Sequence, residues 1–94
     1  MDQTYPLPPR LAKLAKDLPL RKLAFTPVPV GPRHDGWTPA RQRGFILRLA
    51  LCGSIARSAE AVGMTARSAY RLWRHREAAS FIAAWEQAQR FALV

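Results

Sequence analysis

Acid is scarce in this sequence. Six Asp and Glu stand against fifteen Lys and Arg in 94 residues, a formal charge of +9. Glu60, Glu77 and Glu86 are spread along the second half and read as surface charges, not as a paired-carboxylate site. Cysteine is almost missing as well. Cys52 stands alone, which excludes an intrachain disulfide and a cysteine-based zinc site. His34 and His75 lie far apart with no carboxylate cluster around them, so no metal centre is expected. There is no Cys–His arrangement and no glycine loop of the kind that cradles phosphate. Neither enzymatic activity nor a cofactor is expected. No apolar run approaches a membrane-spanning length, and the N-terminus lacks a signal-peptide core. Together with the single cysteine, these absences predict a cytoplasmic protein without membrane insertion.

Proline is missing from most of the chain and crowded into the rest. All eight prolines fall in residues 1–39, seven of them in 1–32, so long regular structure is excluded there. One short helix fits between Pro9 and Pro19. Leu11, Leu14, Ala15 and Leu18 recur at helical spacing, with Arg10, Lys13 and Lys16 on other faces. It is too short to stand alone in water, so it docks on the domain, binds a partner or frays. A protein-interaction or membrane-surface module built on this helix is the reading from another functional class. Residues 24–37 read as an extended arm: either a linker, or an arm carrying Arg33 to the minor groove. Residues 1–36 are thus a proline-rich basic extension, and 37–94 the domain.

What is abundant is arginine. Residues 38–94 hold nine arginines, three glutamates and no lysine. Arginine's planar fork suits phosphate and guanine, so the expected partner is a polyanion: nucleic acid first, an anionic membrane surface second. The alternative is a basic surface that merely aids solubility.

Four helices are expected after Thr38. Thr38-Pro39 is a capping hydroxyl followed by proline at the first helical position, and Gly53 should end that helix after Cys52. Phe45, Ile46, Leu49 and Ala50 form its apolar stripe, with Arg41, Arg43 and Arg48 outside it. Ser54 caps a short second helix, Ile55 to Val62, whose inner face is Ile55, Ala59 and Val62, and Gly63 breaks it. Thr65 caps a third, about Ala66 to Arg76. A fourth starts near Ala78 to Ser80 with a stripe of Phe81, Ile82, Trp85 and Ala88. No strand pattern competes. The end of the chain, Phe91, Leu93 and Val94, is apolar and suits docking on the domain or on a second copy.

Residues 53–74, G-S-I-A-R-S-A-E-A-V-G-M-T-A-R-S-A-Y-R-L-W-R, meet the demands of a helix-turn-helix. Ala59 and Ala69 are small where two helices cross, Gly63 sits in the turn, and Met64 plugs the gap. The helix from Thr65 holds four arginines and no acid up to Arg76. Position assigns roles: Ala66, Arg67, Ser68 and Arg71 to base edges, and Ser54, Arg57, Tyr70, Arg74, His75 and Arg76 to phosphates. Each has a structural alternative. Tyr70 and Trp73 suit the core, and Arg74 and Arg76 suit the negative end of the helix dipole.

V-G-M-T-A-R-S-A-Y-R-L-W-R resembles the homeodomain-like helix-turn-helix segments of bacterial recombinases, transposases and phage terminase small subunits. Residues 37–89 are similar to the N-terminal domains of terminase small subunits and to small helix-turn-helix proteins of alphaproteobacteria. The resemblance implies an all-α fold of three homeodomain-like helices plus a fourth, binding double-stranded DNA with the helix that starts at Thr65. It implies a small bacterial or phage-derived transcriptional regulator, nucleoid-associated, or else a packaging or recombination accessory. Two departures stand out. Ala66 replaces a residue that is often polar in the better-known relatives, leaving methyl contact to thymine. The chain also stops soon after the fourth helix, where terminase subunits continue into an oligomerisation region. One such reader covers few base pairs, so a homodimer or higher oligomer through the last helix would supply affinity.

Overall fold

The computed structural model describes residues 20–31 and 36–92. The Leu11–Leu18 helix, Arg33, Leu93 and Val94 lie outside them. Among the described residues the fold is all-helical, without strands. A 3₁₀ turn, Leu20–Leu23, and an extended stretch to Gly31 precede four α-helices: α1 (Pro39–Cys52), α2 (Ile55–Ala61), α3 (Ala66–Trp73) and α4 (Ala79–Ala92).

Local chemistry sets most of the boundaries. Thr38 has extended backbone, and its hydroxyl accepts the Arg41 N–H at 3.2 Å, with Pro39 opening the helix. Gly53 ends α1 at φ 73°, donating to the Leu49 carbonyl at 2.9 Å. A Cβ there would also meet Ala92 Cβ at 3.2 Å, so the site favours glycine on two grounds. The Ser54 hydroxyl accepts from Arg57 N–H at 3.1 Å and starts α2. Gly63, at φ 77°, turns the chain towards α3. Thr65 and Ser68 form a reciprocal capping box at its start.

One boundary differs from the expectation. α3 ends at Trp73, not Arg76. The Arg74 N–H is shared between the Tyr70 and Arg71 carbonyls at 3.2 Å each, and the His75 N–H reaches Leu72 at 3.0 Å. This tightening to 3₁₀ spacing ends the helix. His75 Nδ1 then accepts the Glu77 N–H at 3.0 Å, and the chain turns into α4 through buried Ala78.

The core gathers on Trp85. Its ring lies 5.0 Å from Phe45 on α1, 4.7 Å from Trp73 and 5.5 Å from Tyr70 on α3, and 5.8 Å from Phe81. Such aromatic pairs contribute about 0.5–1.5 kcal/mol each beyond their buried area. α1 packs along α4 and against α2, and α2 packs on α3. The stripe Phe45, Ile46, Leu49 and Ala50 is buried throughout. On α2, Ala59 and Val62 are buried with Ser58, while Ile55 is only partly covered.

From the stretch 20–31, Leu23, Phe25 and Val28 pack on this core. Leu23 is buried, Val28 is 1% exposed, and Phe25 meets Phe81 edge-on at 5.7 Å. Pro27 and Pro29 carry no N–H, so the donors flanking them are few. Both inner ones are used: Thr26 N–H reaches Ser80 Oγ at 2.8 Å, and Val28 N–H reaches Gln42 Oε1 at 2.8 Å. Gln42 is fully buried. Its amide nitrogen donates to the Val28 carbonyl at 3.1 Å and the Trp37 carbonyl at 2.9 Å. Every hydrogen-bonding direction of that buried amide but one acceptor lone pair is filled.

Candidate nucleic-acid interface

α3 is sharply two-sided. Ala69 and Leu72 are buried and Trp73 is partly covered. Arg67, Tyr70, Arg71 and Arg74 are all exposed. Their spacing, i, i+3, i+4, i+7, puts them on one side of the helix, so three guanidinium groups surround one phenol. The Tyr70 ring leans on Trp85, as its core alternative expects, and the residue is 43% exposed.

This face works against the stability of its own helix. Arg67 and Arg71 are like charges at i, i+4, which cost about 0.2–0.5 kcal/mol. Arg67 also lies in the first turn, at the positive end of the helix dipole, where no acid is present. Among the described residues, no ion pair joins Arg67, Arg71 or Arg74 to a carboxylate. Arg74, at the C-cap, is the one member that the helix dipole favours. The result is a charged stripe that works against its own helix and has no carboxylate partner among the described residues.

The remaining expected residues divide. Ala66 is half-buried in the first turn beside Arg67. Ser68 is committed inside the protein. Its hydroxyl accepts from Thr65 N–H at 3.2 Å and from Trp37 Nε1–H at 3.1 Å, and donates to the Thr65 carbonyl at 2.8 Å. A hydroxyl has one donor and two acceptor positions, so none is left for a base edge. Sequence gives only a weak signal of this, since Ser68 stands where a capping box usually has Glu or Gln. Ser54 spends an acceptor on its cap, and Arg57 is exposed next to it on α2. His75 and Arg76 follow the end of α3, so they leave its stripe and sit in the turn before α4. Arg33 lies outside the described residues.

One cation was not singled out by sequence. Arg41 of α1 donates through Nη1 to the Gly36 carbonyl at 2.8 Å, and its Nη2 lies 3.9 Å from where a Gly63 Cβ would stand. It therefore sits over the turn between α2 and α3, a placement that requires contact between residues far apart in sequence.

Among the described residues no group of His, Cys, Asp and Glu could hold a metal ion, and no helix is long and apolar enough to cross a membrane. No family model matches this chain, and neither a curated protein nor a solved structure matches it.

Proposed function

We propose that this protein binds double-stranded DNA by laying the exposed face of α3 in the major groove, with α1 to α3 acting as a homeodomain-like reader. The observation that carries this reading is the Arg67–Tyr70–Arg71–Arg74 stripe, whose Arg67 and Arg71 work against their own helix and whose three arginines have no carboxylate partner among the described residues. Size agrees: an α-helix is about 10–12 Å across with its side chains, and the major groove is about 12 Å wide.

Roles follow from position. Arg67 in the first turn and Arg71 one turn on present forks that match the two acceptors of guanine. Ala66 offers a methyl to thymine. Tyr70 and Arg74 meet phosphates at the groove edge, with Arg57, His75 and Arg76 flanking. Ser68 has no part in reading, because its hydroxyl is spent on Thr65 and Trp37. A single eight-residue helix reads few base pairs, so a second copy on an adjacent half-site would complete a small regulator of bacterial or phage type. A ring of many copies on DNA would instead favour a packaging role.

The test is a duplex-binding titration across salt. Arg67→Ala should cost ~1–3 kcal/mol and relax sequence preference. Arg74→Ala should weaken all duplexes alike and flatten the salt slope by about one unit. Wild-type protein that shows no salt-dependent duplex binding contradicts the proposal.

A further inference from the structure

The hydrogen bond from Trp37 to Ser68 ties the stretch before α1 to the first turn of α3, across 31 residues of sequence. Both ends of this bond are firmly held. The Trp37 indole is 7% exposed and packs edge-on against Phe45 at 5.4 Å, while its carbonyl accepts from the fully buried Gln42. Ser68 is locked into the capping box with Thr65 by three hydrogen bonds. A polar path therefore runs from Val28 through Gln42 and Trp37 to the residue next to Arg67.

α3 needs such a tie. It has eight residues; Ala69 and Leu72 are buried along it, and the Tyr70 and Trp73 rings that lean on Trp85 hold its second half and leave the first turn to other contacts. Apolar packing is non-directional and leaves a short helix some freedom to roll. A hydrogen bond has a preferred direction, and this one acts on the first turn, so it resists a roll that would carry the long side chains of Arg67 and Arg71 with it. Bidentate recognition tolerates only about 0.5 Å or 10–20° of error.

We propose that Trp37 is a positioning residue: its indole N–H, bonded to Ser68, fixes the rotation of α3 and so the aim of Arg67 and Arg71. The second half of this statement rests on the DNA-binding reading above. Trp37 touches no base in this scheme; it acts through Ser68. It affects the discrimination between duplexes and leaves the phosphate contacts as they are, because a rolled helix still presents its charge to the backbone.

Trp37→Phe keeps a ring against Phe45 and removes the donor together with part of the indole, so the packing loss is read separately as the change in global stability in urea. The preferred duplex is first selected from a randomised pool with the wild-type protein. Affinity is then measured for that duplex and for a scrambled one. One neutral hydrogen bond is worth about fivefold. The variant should therefore lower the preferred-to-scrambled ratio about fivefold, with scrambled binding and salt slope unchanged within about twofold. Ser68→Ala, which removes the acceptor, should lower the ratio at least as much, and the double variant no further than Ser68→Ala alone. Equal loss on both duplexes, or an unchanged ratio, overturns the proposal.

Amide hydrogen exchange without DNA separates the two readings. In Trp37→Phe the Ser68 and Ala69 amides should exchange about fivefold faster relative to that of Leu49 in α1. If they do, while wild-type protein shows no salt-dependent binding to any duplex, the positioning role stands and the DNA reading fails. If the exchange pattern is unchanged, the positioning role fails whatever the DNA result.

Discussion

The first and third helices draw on the same residue in different ways. α1 carries Arg41, Arg43 and Arg48, and two of these are taken into the structure. Arg41 donates to the Gly36 carbonyl, and Arg48 is only 7% exposed. α3 and its cap carry Arg67, Arg71 and Arg74, all exposed and none ion-paired among the described residues. By sequence the two helices are equally basic. By structure one uses its cations to build the domain and the other presents them. Charge content does not tell the two helices apart; the covering of each guanidinium does.

This contrast can be broken at its common support. Trp85 meets Phe45 of α1 and both Tyr70 and Trp73 of α3. Trp85→Ala should cost ~3–5 kcal/mol, much of the stability of so small a chain. Urea unfolding followed by far-UV circular dichroism reads the cost, and amide hydrogen exchange at Leu49 and Ala69 reads each helix separately. Both helices should lose order together; selective loss of α3 would show that α1 does not depend on this hub.

A smaller effect is expected at Gln42, which satisfies the Val28 N–H and carbonyl and the Trp37 carbonyl. Gln42→Leu leaves those buried groups without their partner and should cost about 3 kcal/mol in urea unfolding. The loss should be matched by faster proteolysis within residues 20–31, because the strap is held by that amide.

The arginines themselves sharpen the contrast. Arg48→Ala removes a buried stem and head and should destabilise the fold by ~2 kcal/mol. Arg71→Ala should change stability by less than about 0.5 kcal/mol and lower duplex affinity by ~1–3 kcal/mol. If the two variants exchange these phenotypes, the assignment of faces is wrong.

The sequence announced what is local and concealed what is not. Thr38-Pro39, Gly53, Ser54, Gly63 and Thr65 punctuate the helices through contacts within five residues, so their meaning is readable in place. The stripes of α1 and α4 follow from periodicity in the same way. The early end of α3 is hidden, because Arg74 and His75 carry no breaker to mark the tightening. The docking of Val28 was hidden because prolines signal extended backbone but do not say what the backbone lies on; Gln42 decides that. Arg48 was expected outside the apolar stripe and is buried all the same. On the candidate face, Arg67, Arg71 and Arg74 were legible from spacing. The occupation of Ser68 by Trp37 was not, since it joins segments 31 residues apart.

The central claim is that the α3 face, and not net charge, meets DNA. It is tested most directly by two charge-matched double variants compared in one duplex titration at fixed salt. Arg67→Ala with Arg71→Ala removes two cations from that face, and Arg43→Ala with Arg90→Ala removes two exposed cations from α1 and α4. The account predicts at least about a tenfold loss for the first pair and a change within about threefold for the second. Equal losses for both pairs, or no loss for the first, would contradict it.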